Sequence, residues 1–508
     1  MSPIYLTTPI YYVNDKPHIG HAYTSLATDV LARWHRLSGR EVYFLTGTDE
    51  HGQKVEKAAQ DAGEEPQAFT DRVSQAFRDL TVTMGFSNDS FIRTTEKRHH
   101  EACQALWNRL EERGQIYLGA YEGWYAVRDE AFYGPDELIE REGVKYAPSG
   151  APVEWVTEPS YFFRLSDWSG KLLEFYETQP DFIAPVSRRN EVVSFVKSGL
   201  SDLSISRTSF RWGVPVPGDD AHVMYVWLDA LTNYITALGY PDEKAKLWRF
   251  WPADVHFVGK DILRFHAIYW PALLMAADLP PPRRVFAHGW WTNEGQKISK
   301  SLGNVIDPVA LVEEFGIDPV RYYLLREVPF GQDGDFARSA LVNRLNGELA
   351  DVLGNLANRT LSLIQRNCEG RLPAAAEPSG ADVTLLTPLD GLVETVGKLL
   401  ESQQYHLALE EVFAQVRGAN GYITIQAPWA LKKTDPVRMT EVLRHLHTAL
   451  RAYATVLQPF MPGSMGALLD QLGVPTDARD LSALNAALAE GTMLPTPSPL
   501  FRKVESAG

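Results

Sequence analysis

From Ile4 to Thr8 the chain reads as a short buried strand, and Pro17 then stands where proline favours the opening of a helix. From Ile19 the apolar positions Ala22, Leu26, Val30, Trp34 and Leu37 recur at helical spacing until Gly39 stops the run. Val42 to Leu45 predicts a second strand, ending in the polar loop Thr48-Asp49-Glu50-His51-Gly52, and helical patterns fill about residues 53 to 83. Strand, helix, strand, helix in that order predicts an α/β architecture: a doubly wound parallel sheet whose ligands lie beyond the carboxyl ends of its strands.

Between about residues 118 and 186 the pattern becomes aromatic and turn-rich, as in YEGWYAVRDEAFY and SYFFRLSDW, which predicts a small β-rich insertion. Alternation then resumes, with Ser204 to Arg207, Val223 to Leu228, Val255 to Val258 and Val285 to Ala287 as candidate strands, so the insertion splits the sheet. Asp307-Pro308 and Asp318-Pro319 read as helix starts. From about 338 to 460 the pattern is helical, broken around Leu372 to Gly380, which predicts a helical bundle. The tail from Pro495 reads as loosely held. The resulting division is 1–117 and 187–294 for the halves of the sheet domain, 118–186 for the insertion, 295–337 for a loop-bearing connection and 338–508 for the bundle.

Composition changes little in this picture. At 508 residues two or three domains are expected. No apolar run reaches membrane-spanning length, and the opening residues lack the basic stretch and apolar core of a signal peptide, so a cytoplasmic enzyme without membrane contact is expected. Cys103 and Cys368 have no partnered spacing, which argues against disulfides or a thiolate metal site. A net charge of -15 argues against general nucleic-acid affinity while leaving room for a local basic face.

Two polar loops carry the candidate chemistry. His18 and His21 lie three apart at a helix start, where backbone amides favour an anion, and Gly20 leaves room for a base or ribose to approach. The same residues also suit plain helix capping. Lys297 and Lys300 flank Ser299 in the loop Gly295 to Asn304, whose glycines allow movement; two ammonium groups there can neutralise charge on departing pyrophosphate. A solvated basic turn is the alternative for this loop alone. Together the two loops point to ATP used to adenylate a substrate.

These loops resemble the HIGH and KMSKS signatures of class I aminoacyl-tRNA synthetases. With TTPIYYVNDKPHIGH, TGTDEHG, YVWLDALTNY, FVGKDILRFH, HGWWTNEGQKISKS and QAPWALKK, the chain resembles the methionyl-tRNA synthetase family over almost its whole length. The resemblance implies a Rossmann-type catalytic domain followed by an α-helical anticodon-binding domain, with residues 295–337 as the KMSKS-loop and stem-contact region. It implies that His18, Gly20, His21, Gly259, Asp261, Lys297, Ser299 and Lys300 bind ATP, with His18, His21, Lys297 and Lys300 catalytic. It further implies that Asp49 pairs with the ammonium of the amino acid, and that Ile10, Tyr12, Trp227, Ala230, Tyr234, Ile262 and His266 form the methionine pocket. By spacing alone, Trp227 and Tyr234 read as core residues rather than ligand contacts, and the resemblance reverses that reading. Pro9 and Leu231 vary from the commonest family residues. Asn355, Arg359 and Trp429 are implied as readers of a CAU anticodon, since unpaired bases are read by stacking and side-chain hydrogen bonds. The implied substrates are L-methionine, ATP with Mg2+, and initiator and elongator methionine tRNAs.

One departure stands out. Many relatives carry zinc knuckles with C-x-x-C spacing in the insertion, but here the hairpin has Ala126 and Asp129, and Tyr146 to Pro152 offers no cysteine or histidine. Structural zinc needs about four nitrogen or sulfur ligands. No structural zinc is expected, with Trp124, Tyr125, Phe132 and Tyr133 holding the insertion instead. The chain ends without an obvious appended dimerisation module, so a monomer is expected.

Overall fold

The structure is a computed structural model that describes residues 2–13, 16–129, 131–298, 303–378 and 380–505. Six parallel strands form the main sheet in the order Ser90–Arg93, Val42–Asp49, Ile4–Tyr12, Val255–Gly259, Val285–His288 and Ile183–Ala184. Val42–Asp49 and Ser90–Arg93 build outward from Ile4–Tyr12 in one direction, and Val255–Gly259, Val285–His288 and Ile183–Ala184 in the other. The crevice of a doubly wound sheet opens where the strand order reverses. Here that is between the carboxyl ends of Ile4–Tyr12 and Val255–Gly259. Pro9 lacks an amide hydrogen, and the pairing of Ile4–Tyr12 with Val42–Asp49 shifts register between Thr7 and Ile10. This irregularity falls just before Ile10 and Tyr12.

Two of the four later candidate strands join this sheet and two do not. Leu203–Ser204 pairs with Glu154–Phe163 in a four-stranded antiparallel sheet, and Ser206–Arg207 pairs with Asp219–Met224 in a three-stranded one. The run Val223 to Leu228, expected as one strand, is divided: the strand ends at Met224 and a helix spans Val226–Thr236. Short apolar runs carry no signal of which sheet will pair with them. The insertion is built on the long hairpin of Ile116–Ala126 with Glu154–Phe163. Residues at the end of the expected insertion behave differently, since Ser169–Thr178 is a helix and Ile183–Ala184 is the edge strand of the main sheet.

Within the insertion, Trp124 meets Trp155 edge-on at 5.3 Å and carries the Lys145 ammonium 4.3 Å above its ring. Tyr125 packs instead toward Tyr225, outside the hairpin. The Phe132 side chain lies outside the described residues. Ala126, Ala147 and Ala151 form a small buried cluster, and Asp129 accepts hydrogen bonds from the Tyr133 and Ser149 hydroxyls.

The bundle packs against the sheet domain as one hydrophobic core. Its link to the helix Ile19–Leu37 is polar and buried: Arg321 donates to Asp29 at 2.7 Å and to the carbonyls of Met84, Pro459 and Phe460. Every acceptor around this guanidinium is satisfied by it, as burial of a charge demands. The tail is not loose as expected. The Val504 amide donates to Asn346, whose own amide donates to the Val504 carbonyl, while Leu500, Phe501 and Val504 pack on the core. Its prolines suppress regular structure, yet its apolar residues still find a surface to bury.

Candidate active site and anticodon face

A cavity of about 540 Å³ opens at the crevice between the two central strands. Ile10, Tyr12, His18, Gly20, His21, Asp49, Trp227, Ala230, Tyr234, Gly259, Asp261, Ile262 and His266 all line it. The sequence therefore named residues from both halves of the chain that the fold brings to one space.

The histidine turn is self-capped. His18 has an extended backbone at the N-cap of Ile19–Leu37, its Nδ1 accepts from the Gly20 amide at 3.1 Å, and the His21 Nδ1 accepts from the His18 amide at 3.0 Å. The two rings lie 3.9 Å apart. Capping and pocket lining are thus done by the same side chains. A Cβ at Gly20 would meet the His18 ring at 2.9 Å, so the glycine makes room for the cap as well as lining the cavity. Burial lowers the affinity of both rings for protons, with Asp261 opposing the effect at His18 and His18 adding to it at His21. Each therefore acts as a neutral imidazole near pH 7.

At the other end of the cavity, the Tyr234 hydroxyl lies 2.7 Å from His266 Nε2, and His266 Nδ1 lies 2.9 Å from the Ile262 carbonyl. The carbonyl must accept, so Nδ1 carries the proton and Nε2 takes the tyrosine hydrogen. Burial, against that carbonyl bond, pushes the His266 pKa down to about 4. A π-helical turn over Phe265–Tyr269 carries this histidine; such turns recur at functional sites. The result is an apolar, aromatic-walled slot with fixed tautomers, and Trp227 stacked on Phe265 forms one of its sides.

Between the ends stands the loop after Val42–Asp49. Glu50, beside Asp49, accepts from Arg93 at 2.7 and 3.0 Å and from Thr48 at 2.8 Å, and His51 is bound to Asp229. Both neighbours of Asp49 are thereby fixed in the protein, while Asp49 itself lines the cavity.

Lys297 ends a short strand, Gln296–Lys297, and lines a second cavity of about 450 Å³ together with Tyr12, His18, Gly20 and His21. The two motifs thus share one space. Ser299 and Lys300 lie outside the described residues. Trp290 joins the lysine loop to the sheet: its indole donates to Asp261 at 3.1 Å, and the ammonium groups of Lys260 and Lys297 lie 4.2 and 5.8 Å from its ring. Sequence reasoning missed Trp290, and it missed His288, which ends the strand Val285–His288 and bonds Thr24 at 2.7 Å. Both sit in the quoted segment HGWWTNEGQKISKS, so position at a strand end was the available signal. It also missed Lys54 and Arg128, which line the cavity from the following helix and from the insertion.

On the bundle, Arg359 stands 5.2 Å over the Trp429 ring, and Trp429 is 45% exposed. Asn355 is exposed one helical turn earlier, and Lys432 and Lys433 are exposed on the short helix Pro428–Thr434. These side chains form a local basic, aromatic face on an acidic chain. Among the described residues no helix is long and apolar enough to cross a membrane.

Comparison with known proteins agrees with this arrangement. Residues 4–361 match the family described as tRNA synthetases class I (M), and residues 372–508 match the anticodon binding domain of methionyl tRNA ligase. The methionine--tRNA ligase of Rickettsia bellii is 58% identical over 506 residues, 99% of each chain, and that of Mesorhizobium japonicum is 57% identical over 508 residues, 99% of this chain and 98% of that one. The structure superposes on Mycobacterium tuberculosis methionyl-tRNA synthetase in complex with methionyl-adenylate with a TM-score of 0.97 at 50% identity, covering 99% of this chain and 100% of that one. With family models matching both parts of the chain and relatives matching it over full length, the chain belongs to the methionyl-tRNA synthetase family of class I.

Proposed function

We propose that this protein attaches L-methionine to methionine tRNAs in two ATP-dependent steps. The methionine carboxylate attacks the α-phosphate of ATP, giving methionyl-adenylate and releasing pyrophosphate. A hydroxyl of the tRNA's terminal ribose then attacks the carbonyl, forming the ester and releasing AMP. The observation that carries this reading is the continuity of the cavity, in which the aromatic slot of Tyr12, Trp227, Ala230, Tyr234, Ile262 and His266 runs into His18, Gly20, His21, Gly259 and Asp261. A carboxylate and a nucleotide held end to end in one enclosed space need no protein nucleophile, because positioning supplies much of the rate.

Within this reading Asp49 meets the substrate ammonium, a charge-assisted pairing. The thioether lies in the slot against Ile10, Tyr12 and Trp227, and His18 and His21 hold phosphate with the helix N-terminus. Lys297, with Ser299 and Lys300, stabilises charge on the leaving pyrophosphate. Mg2+ enters as the counter-ion of ATP; a hard cation takes oxygen ligands, and Asp261 is a carboxylate at the nucleotide end. The insertion holds its shape without zinc, supported by the buried alanines and by the use of Asp129 in hydrogen bonds. Asn355, Arg359 and Trp429 read the anticodon of initiator and elongator tRNAs. Residues 1–117 and 187–294 form the catalytic domain, 118–186 the insertion, 295–337 the stem-contact region and 338–508 the anticodon domain. The protein works as a cytoplasmic monomer, a reading in keeping with its two unpaired cysteines.

ATP–pyrophosphate exchange with a panel of amino acids tests the assignment. Methionine should drive exchange; exchange driven by leucine or cysteine in its place would sink it.

A further inference from the structure

Behind the amino-acid end of the cavity lies a buried polar knot to which no role has been given. Asp229 stands on the same helix as Trp227, Ala230 and Tyr234 but does not line the cavity. Its Oδ2 lies 2.6 Å from His51 Nδ1 and its Oδ1 lies 2.7 Å from His99 Nε2. His99 Nδ1 lies 3.1 Å from the Thr236 hydroxyl, and Cys103 Sγ lies 3.2 Å from His99 Nε2. Asp229, His99 and Cys103 are fully buried and His51 is 2% exposed.

Two chemistries compete for such a cluster. Ligand-type atoms of His99, Cys103 and Asp229 lie within 4.8 Å of one another, which recommends a metal. The contact lengths decide against it. Nitrogen and oxygen ligands about 2.0 Å from a shared tetrahedral zinc stand roughly 3.2 Å apart. Contacts of 2.6 and 2.7 Å are those of N–H groups donating directly to a carboxylate. Burial alone would raise the Asp229 pKa, but the two histidines hold it well below the usual carboxylate range. The knot is an ionised carboxylate gripped at both oxygens.

Its location gives it a purpose. His51 is two residues from Asp49, and Glu50 between them is fixed by Arg93 and Thr48. Asp229 therefore ties the loop carrying Asp49 to the helix carrying the walls of the slot, with His99 bracing the junction from a third helix, Lys97–Glu112. A bound α-amino acid has to fit between those two elements. Displacements near 1 Å in such a setting are costly to recognition.

We propose that Asp229, gripped by His51 and His99, is a positioning residue that sets the depth at which Asp49 meets the substrate's ammonium. This rests on the reading of Asp49 given above. It makes the knot specific to one part of the ligand, so its loss should weaken binding of the ammonium while leaving the thioether and carboxylate contacts intact.

The test uses the full-length enzyme in pyrophosphate exchange, with methionine as substrate and desamino-methionine, which lacks the α-amino group, as competing inhibitor. His51→Ala and Asp229→Asn should raise the methionine KM about tenfold, equivalent to about 1.4 kcal/mol. The inhibition constant of desamino-methionine and the KM for ATP should stay within about twofold of wild type, a difference too small to signal a lost contact. His51→Asn, which places an amide nitrogen near the position of Nδ1, should restore most of the methionine KM. Should Asp229→Asn fail to fold, the two His51 variants carry the test alone. A parallel rise in the methionine KM and the desamino-methionine constant would overturn the proposal, since it would mean collapse of the whole slot. Stoichiometric zinc in the wild-type protein that is lost in Cys103→Ser would overturn it in favour of a metal site. Asp49→Asn separates the two readings: if it leaves the methionine KM unchanged, the role of Asp49 falls and this proposal with it. If Asp49→Asn raises that KM while His51→Ala does not, only the positioning role falls.

Discussion

The cavity and the basic, aromatic face of the bundle are built on opposite plans. In the cavity, polar side chains are already engaged before any ligand arrives: His18 and His21 cap their own helix, His266 is bonded on both nitrogens, and Glu50 is held by Arg93. On the bundle, Trp429, Arg359 and Asn355 stand at the surface, with one cation–π contact between the first two. A small ligand brings little binding energy with which to order its site, so the protein orders it in advance. A tRNA brings a large surface and must also be released, and an open face of stacking and charge suits it. Pre-organisation follows the size of the ligand.

The largest effect should come from breaking the ordering of the cavity from behind. Glu50 is fully buried and Arg93 is its cationic partner, so Arg93→Met leaves a buried carboxylate without its counter-charge. Such losses cost about 3–5 kcal/mol. Urea unfolding should show that drop in stability, and the methionine KM should rise with it because the Asp49 loop loses one of its anchors. Unchanged stability would mean that the hydroxyls of Thr48 and Thr95, which also donate to Glu50, suffice and that the loop is less pre-set than its contacts suggest.

Next comes Lys297, the exposed member of the proposed catalytic set. Lys297→Ala should lower the exchange kcat about 100-fold, the magnitude typical of one lost transition-state donor. Its methionine KM should hardly change, because the lysine does not line the cavity that holds the aromatic slot. A methionine KM that rises as steeply as kcat falls would place Lys297 in ground-state binding and blur the contrast between the ordered slot and the exposed lysine.

That contrast also governs how much could be read from sequence. The histidine turn and the lysine loop were legible because each is a local pattern, and the opening strand–helix–strand announced the sheet. What failed was long-range. Ser204 to Arg207 looked like a strand of the main sheet, but two-residue strands carry no record of their partners. Arg128 and Asp129 reach the cavity from the insertion because a hairpin folds back, which no spacing reports. The tail's prolines suggested a loose end, yet its few apolar residues dock on the bundle. The room that Gly20 leaves for the His18 cap is a contact that no spacing reports. The bundle face lay between, since Asn355 and Arg359 share a helix face by spacing while Arg359 meets Trp429 only in the fold.

The smallest effects should fall on that open face, and they discriminate most finely. Trp429→Ala should raise the KM for tRNA about tenfold, since stacking of a base on an aromatic ring contributes about 1–3 kcal/mol. Exchange without tRNA should be unaffected, because Trp429 lies on the bundle, outside the cavity. Arg359→Gln should cost less, about threefold, in line with the roughly 0.5–1 kcal/mol of an exposed cation–π contact. The salt dependence of tRNA binding then tells what the guanidinium does. Placed over Trp429, Arg359 steadies the ring on which a base stacks, so the slope of log affinity against log salt should match that of wild type. A slope shallower by about 0.7 would show that it neutralises a phosphate of the single-stranded loop instead. The face would then be organised around the backbone of the anticodon loop, and its openness would reflect charge capture rather than base reading.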